Sequence, residues 1–437
     1  MVIFKKIMNT LFQGKYSKIF AKGTMISLVG LITIRCCMLL HFLVKTRVLT
    51  PTEVGLIGLT ISILAMTFVI NNGFFHAILR YASFYEGKGS KSEVKGVVFL
   101  VYRLAIPILF ILLTAVNIFA KYIAEVIFRH PQLTTLIKIV SLDAFFMSIT
   151  TLNIALLRSR YLNKYEYIFI TSEYVITIAI ILSLLFVKNL IVMFVTASAI
   201  AAFIIMMFSF DVLRKQMPFL FDPSVNISKP KERVLNFAIF SSVAEFIVRF
   251  RIEINVFYIA LFLSYSDVAL FNVALQLAFF SSIFLMASNS VFLPMVSNLH
   301  GSRDIARIRR IHKKISLVLV GLTTGIFLIY IIGGKFILGL FGEYYKNAYV
   351  TLQIITVAFV VHSATGSVDY IMNMLGRPYL NTINQVISLA IIIMLDYFLI
   401  PIYGLNGAAI AYTCGSIFIS LFALSQVLWL YKIEERG

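Results

Sequence analysis

Cysteine is nearly missing from this chain. Cys36, Cys37 and Cys414 are the only three, with no CxxC pair and no histidine at ligand spacing, so neither a disulfide framework nor a metal site is expected. No GxxxxGK[ST] stretch occurs, which removes a P-loop nucleotide site and with it ATP as the expected energy source. Acidic side chains are few: 19 Asp and Glu against 38 Lys and Arg, a net charge of +19. An excess of that sign is a footprint of nucleic-acid binding, but the positions of the basic residues give it another origin.

What is plentiful is apolar side chain. Hydrophobic residues make up 60% of the 437, and the mean hydropathy is +0.95, more than a water-soluble domain of that size can bury. Apolar stretches of about 20 residues recur from Thr24 to Leu430, each long enough to cross a hydrocarbon core of roughly 30 Å as a helix. The predicted spans are 24–44, 54–75, 96–120, 134–157, 168–187, 190–210, 236–263, 268–296, 315–332, 348–372, 381–400 and 407–430. The expected class is an all-α integral membrane protein of about twelve transmembrane helices.

Twelve spans put both termini on one side. The N-terminal segment, the loops after even-numbered spans and the C-terminus hold 26 Lys and Arg; the loops after odd-numbered spans hold 7. Basic residues near span ends are retained in the cytoplasm, so N-in, C-in is expected in the cell inner membrane, without nucleic acid as a partner. Segment 1–23 carries five lysines and no small-residue cleavage site, and no cleaved signal peptide is read.

The halves repeat. TPTEVGLIGL (50–59) matches SYSDVALFNV (264–273) at an offset of 214 residues, with a hydroxyl residue three before an acid in each, the spacing of a capping box. The same offset pairs Gly87 with Gly301, and RYLN (160–163) answers RPYLN (377–381). Copies of six spans share one orientation, which predicts two six-helix bundles related by a pseudo-twofold along the membrane normal and a central cavity served by alternating access. The expected organisation is a cytoplasmic segment 1–23, a bundle 24–210, a cytoplasmic linker 211–235 with Pro218, Pro223 and Pro230, a bundle 236–430 and a cytoplasmic tail 431–437.

VLTPTEVGLIGL (48–59), GFFHAILRYAS (73–83), SYSDVALFNVALQL (264–277), FLPMVSNLHG (292–301), LGLFGEYYKNAYVTLQI (338–354) and LIPIYGLNGAAIAY (399–412), in that order and spacing, resemble an oligosaccharide flippase of bacterial polysaccharide biosynthesis. The type is the Wzx-like transporter of O-antigen (lipopolysaccharide) or capsule repeat units, within the multidrug/oligosaccharidyl-lipid/polysaccharide (MOP) exporter superfamily. The resemblance implies as substrate a polyprenyl pyrophosphate bearing an oligosaccharide, moved from the cytoplasmic to the outer leaflet, with membrane lipids around it and polysaccharide assembly enzymes as an open partner class. It also implies an Asp in span 7 where this chain aligns Asn255.

Charged residues inside spans cost about 2.5–3.5 kcal/mol each on insertion scales and so face protein or water. A guanidinium offers paired donors to phosphate oxygens and stays charged. Arg35 in span 1 with Arg249 or Arg251 in span 7 are the expected pyrophosphate ligands, followed by Arg103 and Lys138. Against this, Glu245, Arg249 and Glu253 at i, i+4 and i+8 can form a ladder that neutralises Arg249, while Arg251 lies about 200° away on the helix. Asp369, Asp396 and Glu173 are candidates to couple transport to H+ or Na+; no other cofactor is expected. The basic stretch RDIARIRRIHKK (303–314) reads as a helix on anionic headgroups, Gly321 and Gly325 as a close-packing pair, and His41 and His362 as packing residues rather than metal ligands. A drug or metabolite exporter of the same superfamily is the alternative. A membrane polymerase or ligase needs a substantial outer loop, and the longest here, 333–347, has 15 residues; no enzyme activity is expected.

Overall fold

The computed structural model describes residues 15–183, 189–228, 234–301, 304–375 and 377–434. The described residues are helical, with short 3₁₀ and π turns, and contain no strand. Six helices form the first half: α1 (Lys15–Val48), α2 (Pro51–Gly87), α3 (Lys91–Tyr122, prolonged by a π turn, Ile123–Ile127), α4 (Gln132–Ser159), α5 (Lys164–Ser183) and α6 (Leu190–Gln216). In the second half come α7 (Val234–Phe262), α8 (Tyr265–Phe280), α9 (Ile283–Gly301), α10 (Ile305–Phe341), α11 (Tyr349–Thr365), α12 (Val368–Met374), α13 (Pro378–Tyr403) and α14 (Leu405–Glu434). Each predicted span finds a helix, but spans 8 and 10 are each made of two.

Both capping boxes are present. Thr50 and Glu53 exchange side-chain and backbone hydrogen bonds at the start of α2, and Ser264 and Asp267 do the same before α8, saturating amide groups that a helix start leaves without partners. The two starts also touch: Thr52 Oγ1 lies 2.9 Å from Ser266 Oγ, its equivalent at the 214-residue offset. Gly58 packs on Asn272, again its equivalent. The repeat relation is therefore a spatial one, and its axis passes between these pairs.

α2 and α7 pack along their whole lengths, and α2 also meets α8. Glycine makes that approach possible. A side chain at Gly55 would enter the Tyr265 carbonyl, and one at Gly73 would enter the Ala238 carbonyl and the Ser242 hydroxyl. Gly321 and Gly325, expected to serve such packing, face open space; the close-packing pair lies elsewhere because α10 is an outer helix with little buried surface.

The buried hydrophobic residues form three clusters. One fills the capping-box half and joins both lobes, from Phe42 and Leu56 through Val256 and Phe271 to Phe341 and Tyr412. At the opposite, linker end the lobes have separate cores. Phe74, Val97, Leu156 and Val212 lie in the first, which takes in only the opening turns of α7; Phe292, Ile308, Ile371 and Val427 lie in the second. The lobes thus share one core at the capping-box end and have separate cores at the linker end, where α2 still packs on the first turns of α7.

One segment departs from expectation. RDIARIRRIHKK is not a separate surface helix: from Ile305 it forms the first turns of the 37-residue α10, about 55 Å long at 1.5 Å per residue and so longer than the apolar core it crosses. The linker is tied down by Lys95 Nζ of α3, which donates to the Asp222 and Val225 carbonyls at 2.6 and 3.0 Å.

Candidate functional site

The break in span 8 falls at Ser281–Ser282 and that in span 10 at Gly366–Ser367, where Gly366 and Ser367 have φ of 66° and 58°. Glycine adopts that left-handed backbone freely; serine does so at a cost. The break in span 10 is bonded to span 8, since Ser367 Oγ donates to Asn289 Oδ1 of α9. Interrupted helices within membrane spans free backbone groups where they line a cavity, and Arg35, Arg251 and Asp369 lie near these two broken spans.

Arg35 of α1 sits against the second half of span 8. Its guanidinium reaches Met286 Sδ at 3.5 Å and Met38 Sδ at 3.8 Å and lies 6.0 Å from the Phe279 ring centre. Tyr174 of α5 stands beside it, in a group with Glu173 of α5 and Asp143 of α4. Asp143 also accepts from Ser198 Oγ of α6 at 3.4 Å. No carboxylate comes within ion-pair distance of Arg35 among the described residues.

The ladder on α7 forms one rung. Arg249 pairs with Glu253 at 2.7 Å, and Glu253 also accepts from Ser62 Oγ of α2 at 2.6 Å. Glu245 turns away from Arg249 to His76 of α2, at 3.4 Å. Its rung thus becomes a contact between lobes. Arg251, on the other side of α7, reaches Ser416 Oγ of α14 at 3.3 Å, and its Nε is buried without a partner. His362 is its electrostatic neighbour and has Asp369 as another. Arg251 too has no ion pair among the described residues.

Arg103 and Lys138 are not brought to this level of the fold in the same way. Both are exposed, Arg103 on the stripe of α3 that carries Phe99 and Phe110, Lys138 on that of α4 that carries Leu142. Those stripes are the lipid-covered faces of their helices.

The three carboxylates proposed for coupling have different settings. Glu173 faces Asp143, a pairing that follows from how spans 4 and 5 meet. Asp369 lies by His362 and Tyr370, with one oxygen buried and unpartnered. Asp396 on α13 is fully buried, and neither oxygen has a hydrogen-bond partner. Asn255, where the resemblance implies an acid, is fully buried and its Nδ2 donates weakly to the Arg251 carbonyl at 3.5 Å. His41 packs between Tyr174 and Phe194, and no group of three metal-ligating side chains occurs among the described residues.

Sequence reasoning passed over Asp143, Tyr174, His76 and Ser416 as site residues, and over both breaks. Only the small polar runs SS (281–282) and TGS (365–367) mark the breaks. The side-chain groups meet across helices, and no spacing along the chain announces them.

Two six-span lobes that share a core at one end, with guanidinium groups on α1 and α7 that have no ion pair among the described residues, define a polytopic membrane transporter. The chain belongs to the polysaccharide biosynthesis protein family, whose model matches residues 20–300. No curated protein sequence matches the chain.

Solved transporters share the fold across nearly the whole length. An inward-facing multidrug-resistance MATE family transporter of the MOP superfamily superposes with a TM-score of 0.72 at 12% identity, covering 95% of this chain and 96% of that one. A MOP superfamily transporter from Pyrococcus furiosus, described as having a binding pocket of reverse polarity that suggests a different function, gives 0.72 at 12% identity over 95% and 97%. The Vibrio cholerae MATE transporter VcmN in its bent form gives 0.66 at 14% identity over 95% and 98%. These likenesses establish the two-bundle MOP fold.

Proposed function

We propose that this protein is a flippase that moves polyprenyl-pyrophosphate-linked oligosaccharide from the cytoplasmic to the outer leaflet of the inner membrane by alternating access, for assembly of surface polysaccharide such as O-antigen or capsule. The observation that carries the reading is the pair of guanidinium groups, Arg35 on α1 and Arg251 on α7, each without a carboxylate partner among the described residues. A pyrophosphate supplies the missing anion with oxygens that match their donors. Arg249, already matched by Glu253, is a supporting rather than a leading ligand; Arg103 and Lys138 are too far round their helices to join them.

The distribution of basic residues orients the linker end to the cytoplasm, N-in and C-in. The separate cores at that end support entry of a lipid-linked glycan from the cytoplasmic leaflet between the lobes, beside the α2–α7 contact. The short outer connections leave no room for a domain holding an acceptor and acid–base groups, which supports transport without chemistry.

Removal of the protein from its host tests the reading. Lipid-linked oligosaccharide is expected to accumulate while surface polysaccharide falls; unchanged levels of both would favour a drug or metabolite exporter. The Asp143–Glu173 pair is the feature that suits that second reading, since paired acids attract cations.

Directional flipping requires an energy source, and Glu173, Asp369 and Asp396 are the groups proposed to take up H+ or Na+ in one conformation. Collapse of the proton and sodium gradients together is expected to reduce flipping by an order of magnitude or more, measured as flux of substrate in proteoliposomes. Flux indifferent to both gradients would remove all three carboxylates from a coupling role.

A further inference from the structure

At the linker end, away from the interface between the lobes, α10, α11 and α14 enclose an open groove of about 380 Å³. Arg309 and Lys313, one turn apart on α10, stand at its rim, both on exposed positions. Beyond them the lining becomes apolar: Leu317 and Val320 continue down α10, with Leu424 and Leu428 of α14 opposite. From Arg309 to Val320 is about 16 Å along the helix at 1.5 Å per residue. Over that distance the groove passes from a cationic mouth to a hydrocarbon-like wall.

The break in span 10 shapes the closed end. α11 stops at Thr365, and His312 Nε2 lies 2.7 Å from the Thr365 carbonyl oxygen while its Nδ1 faces the Tyr431 hydroxyl at 3.3 Å. His312 is thereby fixed as a wall residue under Phe292. Ser316, also lining the groove, keeps a buried hydroxyl with no hydrogen-bond partner. A buried hydroxyl lacking a partner costs free energy unless something supplies one.

We propose that this groove binds an anionic glycerophospholipid of the linker-end leaflet. Its phosphate sits between Arg309 and Lys313, a headgroup or ester oxygen meets Ser316, and an acyl chain runs along Leu317, Val320, Leu424 and Leu428. Charge complementarity selects the lipid, because two cations on one helix face attract an anionic headgroup over a zwitterionic one. The apolar walls select a lipid over free phosphate, which has nothing to bury there. The site needs only that the chain spans a membrane and is independent of what the central cavity carries.

The single tryptophan, Trp429, is exposed on α14 next to Leu428 and reports on lipid at this level. The full-length protein is reconstituted in phosphatidylcholine bilayers containing graded brominated phosphatidylglycerol, with brominated phosphatidylcholine as reference, and quenching of Trp429 is read. A preference for phosphatidylglycerol of about fivefold or more is expected, falling to near one in Arg309→Gln/Lys313→Gln. It should persist in Arg310→Gln/Lys314→Gln, which removes the same charge from positions outside the groove.

Equal quenching by both lipids in the unaltered protein would overturn the proposal. So would equal loss of preference in both double variants, which would make the attraction diffuse. Displacement of the brominated lipid by excess inorganic phosphate would mark a free-anion site instead, and displacement by trace polyprenyl pyrophosphate would mark an entry site for the transported lipid.

Discussion

Replacing Arg35 or Arg251 with Gln is expected to lower flipping about a hundredfold or more while leaving membrane insertion and thermal stability unchanged. Each guanidinium offers charge-assisted hydrogen bonds worth about 1.5–3 kcal/mol apiece to an anion held away from water. Two such bonds exceed the 2.8 kcal/mol or so that corresponds to a factor of a hundred. Neither arginine carries an ion pair among the described residues, so removing its charge strands no described carboxylate. Lys in either place should restore only part of the rate, because an ammonium keeps the charge without the planar fork. Arg249→Gln provides the contrast. It leaves Glu253, nearly buried, with only the Ser62 hydroxyl, and an uncompensated buried charge is strongly destabilising. That variant should lose melting temperature first and flux second. Substrate flux in proteoliposomes, measured beside the melting curve, separates the cases; full flux in both Arg35→Gln and Arg251→Gln would overturn the pyrophosphate clamp.

The contrast between Arg249 and Arg251 was legible in the chain, because i, i+4 spacing on a helix makes neighbours and a two-residue step puts side chains on nearly opposite faces. The spans were legible for the same reason: twenty apolar residues have one outcome in lipid. Span 7, 236–263, was read with the others as an apolar stretch although it carries Glu245, Arg249, Arg251 and Glu253. What could not be read were contacts between helices that local spacing does not encode. Glu245 had two partners within reach, and the one chosen, His76, lies 169 positions away. The span breaks were hidden because a lipid-embedded helix tolerates Ser and Gly, so SS and TGS look like ordinary helical sequence until another helix is there to take up the freed groups. Gly321 and Gly325 misled in the opposite sense. Small residues four apart permit close packing but do not cause it, and α10 has no helix on that face.

A cross-link between Thr52→Cys and Ser266→Cys is expected to stop transport completely on oxidation and to release it on reduction. The two hydroxyls are 2.9 Å apart on the pseudo-twofold, so sulfur atoms in their places can meet with little movement of the helices that bear them. The bond would staple α2 to α8 at the helix starts, at the edge of the buried cluster common to both lobes. In alternating access by rocking of two bundles, the sealed end must part for the cavity to open on that side, and this seam is where the equivalent helix starts meet. Each single cysteine should transport normally, since hydroxyl contacts at exposed positions contribute little to stability. The native cysteines lie in α1 and α14, with Cys36 and Cys414 exposed, and are replaced by Ala beforehand so that oxidation reads only the new pair. Arrest on oxidation, with substrate still able to bind from the linker end, would establish that the capping-box seam opens in every cycle. Full transport by the oxidised double variant would instead make the seam a permanent hinge, and the opening would have to pass on the other side of α2, between α1 and α9, where Arg35 meets Met286.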